Sequence, residues 1–175
     1  EALLEDREVH VKRTKVFGCS IKWSGKAKQA KQAKKQWAKE EVSVEVIEKN
    51  RVKSIVENNS DNLRLINFWA SWCGPCRTEF PDLMKVNYIY RNRDFEFITV
   101  SMDSPKNKDK VIEFLKKQNA SNRNYVFDGD KYALMETVDP EWPGSVPYTI
   151  LVKPDGEIIY RKVGAVTDLL ELRRK

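Results

Sequence analysis

Residues Leu63–Pro81 read LRLINFWASWCGPCRTEFP, and this stretch decides the fold. Its apolar run from Leu63 to Ala70 has the length and composition of a strand, and the residues from Arg77 onward open a helix. Between them sits Cys73-Gly74-Pro75-Cys76. Two cysteines separated by two residues can close a small disulfide ring. At a helix start, the unpaired backbone N–H groups and the helix dipole favour the thiolate over the thiol. A strand, a CxxC and a helix in succession therefore form a redox arrangement. Half of a zinc site is the bland alternative, but it needs two more ligands, and the only further cysteine and histidine in the chain are Cys19 and His10.

Working outward, 175 residues fit one domain with extra material at an end. No run approaches the roughly 18 consecutive apolar residues of a membrane-spanning helix, so the chain is read as not membrane-spanning. Because it opens at Glu1 without methionine or a basic-then-apolar leader, the expectation is that processing or truncation removed a leading segment. Three cysteines, two in one CxxC, suggest a working dithiol plus a spare thiol rather than a disulfide scaffold. The net charge is +6, and seven lysines with no acidic residue between Lys22 and Lys39 account for the excess. There, KAKQAKQAKKQWAKEE (26–41) reads as an amphipathic helix with a thin alanine stripe, Trp23, Ala27, Ala30 and Trp37 recurring near the helical period. Such a run is usually a solvated face. Contact with an acidic partner is the alternative, and no aromatic–glycine interleaving or groove-reading motif points to nucleic acid.

The sequence thus divides into residues 1–41, a tail and lysine-rich helix, and 42–175, the domain proper. Residues 1–21 hold a short helical patch at Ala2–Glu5 and a few β-favouring residues around Gly18-Cys19, too little for a core. Val42–Ile47 alternates like a half-buried strand, and Val52, Ile55 and Val56 share one face of a short helix. FEFITVSM (95–102) is a strand buried on both faces, Lys106–Gln118 a helix, Asn124–Phe127 a strand and Tyr132–Val138 a helix. VPYTILV and EIIYRKV flank Lys153-Pro154-Asp155-Gly156, which marks an antiparallel hairpin, and Thr167–Arg173 closes the chain as a basic helix. Strands alternating with helices and ending in a hairpin predict an α/β fold, a mixed sheet with helices on both faces and an N-terminal helical extension.

FWASWCGPCRTEFPDL (68–83) together with SVPYTILVKPDGEIIYRKVG (145–164) resembles the thioredoxin-like disulfide oxidoreductases, in particular the TlpA/ResA branch, over about residues 42–175. The short stretch GCSIKW (18–23) also resembles the end of a peroxiredoxin-like domain in two-domain redoxin proteins, which would make this chain the C-terminal part of a longer one. The main resemblance implies a thioredoxin fold with the CxxC on the first turn of its long helix. It implies thiol-disulfide exchange with disulfide-bearing protein or small-thiol substrates, an upstream thiol reductant, and a monomer in an extracytoplasmic, often periplasmic, bacterial setting. A cytoplasmic thioredoxin-type role is the fallback.

In that reading Cys73 is the nucleophile, its pKa lowered from about 8.5 toward about 3.5–7.5, and Cys76 resolves the mixed disulfide. Gly74-Pro75 stiffens the ring and resembles reducing members of the family. Trp72 either shields the dithiol or is a plain core aromatic. Val146-Pro147 fits the family's slot for a cis-proline facing the dithiol, where the preceding residue offers its backbone to an extended substrate; an ordinary trans proline at a strand start is the alternative. Where thioredoxin has a buried aspartate, six residues before the first cysteine, this chain has Asn67, which cannot take a proton. Glu79 stands where TlpA/ResA-type proteins carry an acidic residue. It either modulates the dithiol's proton transfers or merely complements the helix dipole. Pro81 should kink the helix.

Other candidates read as structural. Cys19 reads as a small buried side chain, with pairing to a residue outside this chain as the alternative, His10 as a surface residue, and Asp128 and Asp130 lack the companions of a metal loop. No cofactor is called for, and no glycine-rich phosphate loop occurs. Two further readings compete: a peroxiredoxin-like peroxidase, disfavoured because NFWASW rather than PxxxTxxC leads into Cys73, and a non-catalytic binding module with a vestigial dithiol.

Overall fold

The computed structural model describes residues 23–166. It contains strands β1 Glu45–Ile47, β2 Leu63–Trp69, β3 Phe95–Ser101, β4 Arg123–Phe127, β5 Tyr148–Val152 and β6 Ile158–Val163. The helices are α1 Trp23–Trp37, α2 Lys49–Val56, α3 Gly74–Tyr90, α4 Lys108–Lys117 and α5 Lys131–Val138, with a 3₁₀ turn at Pro105–Asn107. One sheet runs in the order β1-β4-β3-β2-β5-β6. The pairs β1/β4, β4/β3 and β3/β2 are parallel, while β5 joins β2 antiparallel and β6 closes the hairpin. The mixed sheet read from the sequence is therefore present.

Alternate residues of β2 show how both faces are covered. On one face Trp69 packs against Phe80 of α3 and Phe114 of α4, with ring centroids 5.0 Å away in each case. On the other, the Arg64 guanidinium donates to the Ile55 carbonyl of α2 at 2.7 Å, and Phe68 packs on Trp142 at 4.7 Å. A strand buried on both faces needs apolar residues at nearly every position, which is why LRLINFW reads as a continuous run rather than an alternation. The one charged side chain in it, Arg64, is paired with Glu96 of β3 at 2.6 Å. Burial alone would raise the Glu96 pKa, but hydrogen bonds and charge from Arg123 and Arg64 hold it below the usual range.

Boundaries differ modestly from the sequence reading. β1 keeps only the last three residues of the expected strand, since its parallel partner β4 pairs with Glu45, Val46 and Ile47 alone. The lysine-rich helix ends at Trp37 rather than running through Glu41. The chain divides into two compact units between Gln36 and Trp37. In the second, Trp37 stacks on Tyr88 at 4.4 Å and Glu40 accepts from Arg91 at 2.7 Å. α3 runs without a break through Pro81. The helical patch at Ala2–Glu5, Cys19, His10 and the basic segment Thr167–Arg173 lie outside the described residues.

Asn58 ties these layers together. It is fully buried with φ +46°, and its Nδ2 donates to Asn62 O at 2.8 Å and to Lys153 O at 2.7 Å in the β5–β6 turn. Asn58→Ala removes those donors and keeps a side chain in a left-handed conformation. The expected loss is about 2–4 kcal/mol. Urea unfolding would measure it, and Asn58→Gly, which relieves only the backbone strain, should lose less.

Candidate active site

The dithiol loop leaves the carboxyl end of β2. Cys73 N–H donates to Ala70 O at 3.1 Å, closing a tight turn, and Cys73 is the N-cap of α3, with φ −83° and ψ 109°. Its sulfur accepts the Cys76 N–H at 3.2 Å. That is a helix-start donor otherwise without an intrahelical partner. Pro75 falls in the first turn, where its missing N–H costs nothing. Cys73 and Cys76 are joined as a disulfide with Cα atoms 5.3 Å apart. Cys76 is fully buried, Cys73 nearly so at 6 % exposure, and Trp72 is 67 % exposed. Trp72 is thus no core aromatic.

Facing the dithiol is the turn before β5. The Val146–Pro147 bond is cis, and the Val146 carbonyl oxygen lies 3.5 Å from Cys73 Sγ. Residues 139–148 are held by an internal scaffold. Trp142 is stacked on Tyr148 at 4.9 Å and donates from its indole to Ser145 O at 2.9 Å. Tyr148 donates to buried Asp139 at 2.7 Å, and Arg161 of β6 donates to the same carboxylate at 2.6 Å. Burial opposes ionisation of Asp139, but the hydrogen bonds from Tyr148, the Glu141 N–H and Arg161 outweigh it and keep the pKa low. Tyr148 moves the other way, pushed up by burial and by Asp139.

Behind the disulfide lies a buried polar group. Asn67 and Thr149 are direct cross-strand partners in the β2/β5 register, and Asn67 Nδ2 donates to Thr149 Oγ1 at 2.9 Å and to Glu79 Oε1 at 3.0 Å. Glu79 Oε2 accepts the Val166 backbone N–H at 2.7 Å. Glu79 is one helical turn past Cys76, on the same face of α3. Its burial raises the carboxyl pKa, and the bonds from Val166 and Asn67 only partly offset that. Asn67 Oδ1 has no partner among the described residues.

The structure therefore gathers Trp72, Cys73, Gly74, Pro75, Cys76, Val146 and Pro147 at one end of the sheet, with Glu79 beneath. A cleft of about 290 Å³ opens beside them, lined in part by Trp72, Met102, Tyr132, Met135 and Val146. Neither Asp128 nor Asp130 lines it, and Asp130 caps α5 by accepting the Tyr132 N–H at 2.9 Å. Trp142, Thr149, Val166 and Asp103 carry no site signal that sequence reasoning picked out. Thr149 could have been found, since it adjoins Pro147 in VPYT; the others come into place only through the sheet order. Among the described residues no cluster of His, Cys, Asp or Glu could hold a metal ion, and no helix is long and apolar enough to cross a membrane.

Comparison with known proteins agrees with this geometry. The Redoxin family profile matches residues 49–173. The chain belongs to the Redoxin family. It is 32 % identical over 108 residues to the thiol-disulfide oxidoreductase ResA of Oceanobacillus iheyensis, covering 61 % of this chain and 53 % of that protein. It is also 32 % identical over 109 residues to the thiol:disulfide interchange protein HelX of Rhodobacter capsulatus, covering 61 % of this chain and 54 % of that one. The crystal structure of StoA from Bacillus subtilis superposes with a TM-score of 0.51 at 26 % identity, covering 66 % of this chain and 83 % of StoA. The fold of this redoxin is the thioredoxin fold, and the chain spans about half the length of the curated relatives it matches.

A carboxyl whose pKa is raised by folding contributes stability through its protonated form. That contribution is full below the unfolded value of 4.5 and is lost as pH rises through the folded value. Relative to Glu79→Gln, the wild-type oxidised protein should therefore lose stability as pH rises from 4.5 through the raised folded value. Urea midpoints across that range would show it, and a pH-independent difference would contradict the raised pKa.

Proposed function

We propose that this redoxin is a thiol-disulfide oxidoreductase that exchanges disulfides with protein or small-thiol partners through Cys73 and Cys76, working as a reductant. The observation that carries this reading is the capped Cys73–Cys76 ring with the Val146 carbonyl 3.5 Å from the Cys73 sulfur. The named relatives include a thiol-disulfide oxidoreductase and a thiol:disulfide interchange protein, which supports it further.

Starting from the reduced dithiol, the Cys73 thiolate attacks one sulfur of the substrate disulfide. A mixed disulfide forms and the first substrate thiol leaves, taking a proton from solvent. Cys76 then attacks Cys73 Sγ, expelling the second thiol and closing the ring. For that step Cys76 must give up its proton, and Glu79, with a raised pKa and one turn away, is the acceptor that this reading assigns. Trp72, Gly74 and Pro75 border the reacting sulfurs, and Val146-Pro147 offers backbone to an extended substrate. An upstream thiol reductant restores the dithiol. The TlpA/ResA resemblance supports an extracytoplasmic setting.

Cys73→Ser should abolish insulin-disulfide reduction. Cys76→Ser should still make the first attack and accumulate a mixed disulfide visible by mass spectrometry. Redox titration of the pair should fall nearer thioredoxin's value of about −270 mV than the about −120 mV of a strong oxidant. Full activity in the Cys73→Ser protein would remove the reading, as would turnover of hydrogen peroxide in place of disulfides.

A further inference from the structure

The buried carboxylate of Asp103 does nothing in the scheme above, yet it holds the loop that carries the nucleophile. It is 2 % exposed. Its Oδ2 accepts the Ser71 backbone N–H at 2.7 Å, and its Oδ1 accepts the Ser71 hydroxyl at 2.7 Å. Two bonds to one residue fix both the position and the rotation of that residue. Ser101 completes the arrangement: its hydroxyl donates to Oδ2 at 2.6 Å and accepts the Asp103 N–H at 3.1 Å. The clamp grows from rigid ground. Ser101 ends β3 opposite Trp69, the end of β2, and the Met102 N–H donates to Trp69 O at 2.7 Å.

Ser71 is two residues before Cys73. Trp72, between them, is mostly exposed and gives the loop little packing. While the disulfide is closed, the ring itself ties Cys73 to α3. Once it opens, that covalent tie is gone, and the Asp103 bonds to Ser71 are indifferent to the redox state of the sulfurs.

We propose that Asp103 is a positioning residue for exchange: through Ser71 it keeps the Cys73 sulfur aimed at the substrate lying along Val146 when the dithiol is reduced. This rests on the exchange chemistry proposed above. A misplacement of about 1 Å at a reacting atom can cost about 100-fold in rate, so a loosened loop should show in turnover before it shows in chemistry intrinsic to the thiol.

The test uses the full chain with Asp103→Ala, Asp103→Asn and Ser71→Ala. Insulin-disulfide reduction should fall about 10-fold or more in Asp103→Ala. It should fall less in Ser71→Ala, which keeps the backbone N–H bond, and Asp103→Asn, which keeps one acceptor, should lie between them. Alkylation of the reduced proteins by iodoacetamide, followed to pH values where Cys73 is fully thiolate, should stay within about twofold of wild type. This split separates aim from reactivity; loss of folding would depress both, and thermal melts identify any variant that does not fold. If Asp103→Ala does not fold, the other two variants carry the test. An active wild type beside equally active folded variants overturns this proposal alone, as does a parallel fall in exchange and alkylation. A wild type that reduces no disulfide overturns the exchange reading and this proposal with it.

Discussion

The antiparallel pairing of β2 with β5 is the constraint on which the site depends. A parallel neighbour would begin where β2 begins, far from the dithiol. An antiparallel one begins where β2 ends, and the register Phe68↔Tyr148 and Asn67↔Thr149 sets Pro147 opposite the loop that leaves Trp69. Cys73 and Val146 are 73 residues apart in sequence and meet because two strands pair in opposite directions. The parallel strand on the other side, β3, ends level with β2 and supplies Asp103 from its own carboxyl end. In the proposed exchange one central strand therefore delivers the nucleophile, while its two neighbours deliver the substrate-facing turn and the clamp.

The same pairing accounts for the buried acid. A carboxylate sealed from water is costly unless its oxygens are hydrogen-bonded, and Glu79 has one donor on each oxygen, from Asn67 and from Val166. Two neutral donors are fewer than a buried carboxylate needs to stay acidic, so burial wins and the proton is held more tightly. An asparagine at position 67 contributes in a way an aspartate could not: its amide donates to the glutamate, whereas a second carboxylate would repel it. In the exchange proposed above, proton handling moves from the strand to the helix, and the strand residue becomes its support.

Much of this was legible in the sequence wherever the signal is local. A β-rich apolar run before CGPC, a Pro-Asp-Gly turn between two strands and a proline ahead of VPYT's strand are all short-range patterns, and their elements stand within a residue or two of expectation. Glu79 and Asn67 were legible as separate departures from thioredoxin, but their hydrogen bond was not. Position 12 residues away on another element follows from packing, not spacing. Asp103, read only as the end of a strand, and Trp142, in an irregular stretch, carry no pattern of their own. Their roles exist only once β3 lies beside β2 and the turn before β5 folds over Phe68. The shortness of β1 is likewise set by its tertiary partner, β4.

The surroundings of Cys73 also bear on the direction of electron flow. Strong oxidants of this chemistry hold their electrons tightly because the reduced form is stabilised, above all through the thiolate of the first cysteine. Here the start of α3 supplies that stabilisation through the Cys76 N–H. No histidine lies among the described residues and the Arg77 guanidinium sits 5.9 Å from the Phe114 ring centroid, whereas Lys131, which donates to the Met102 carbonyl, lines the cleft shared with Trp72 and Val146. On the opposite side of the balance, the Asp103 carboxylate is bonded two residues from the nucleophile, and a negative charge there disfavours a second one. The start of α3 and the Asp103 carboxylate thus act on the nucleophile in opposite senses, and the redox direction proposed above depends on their balance.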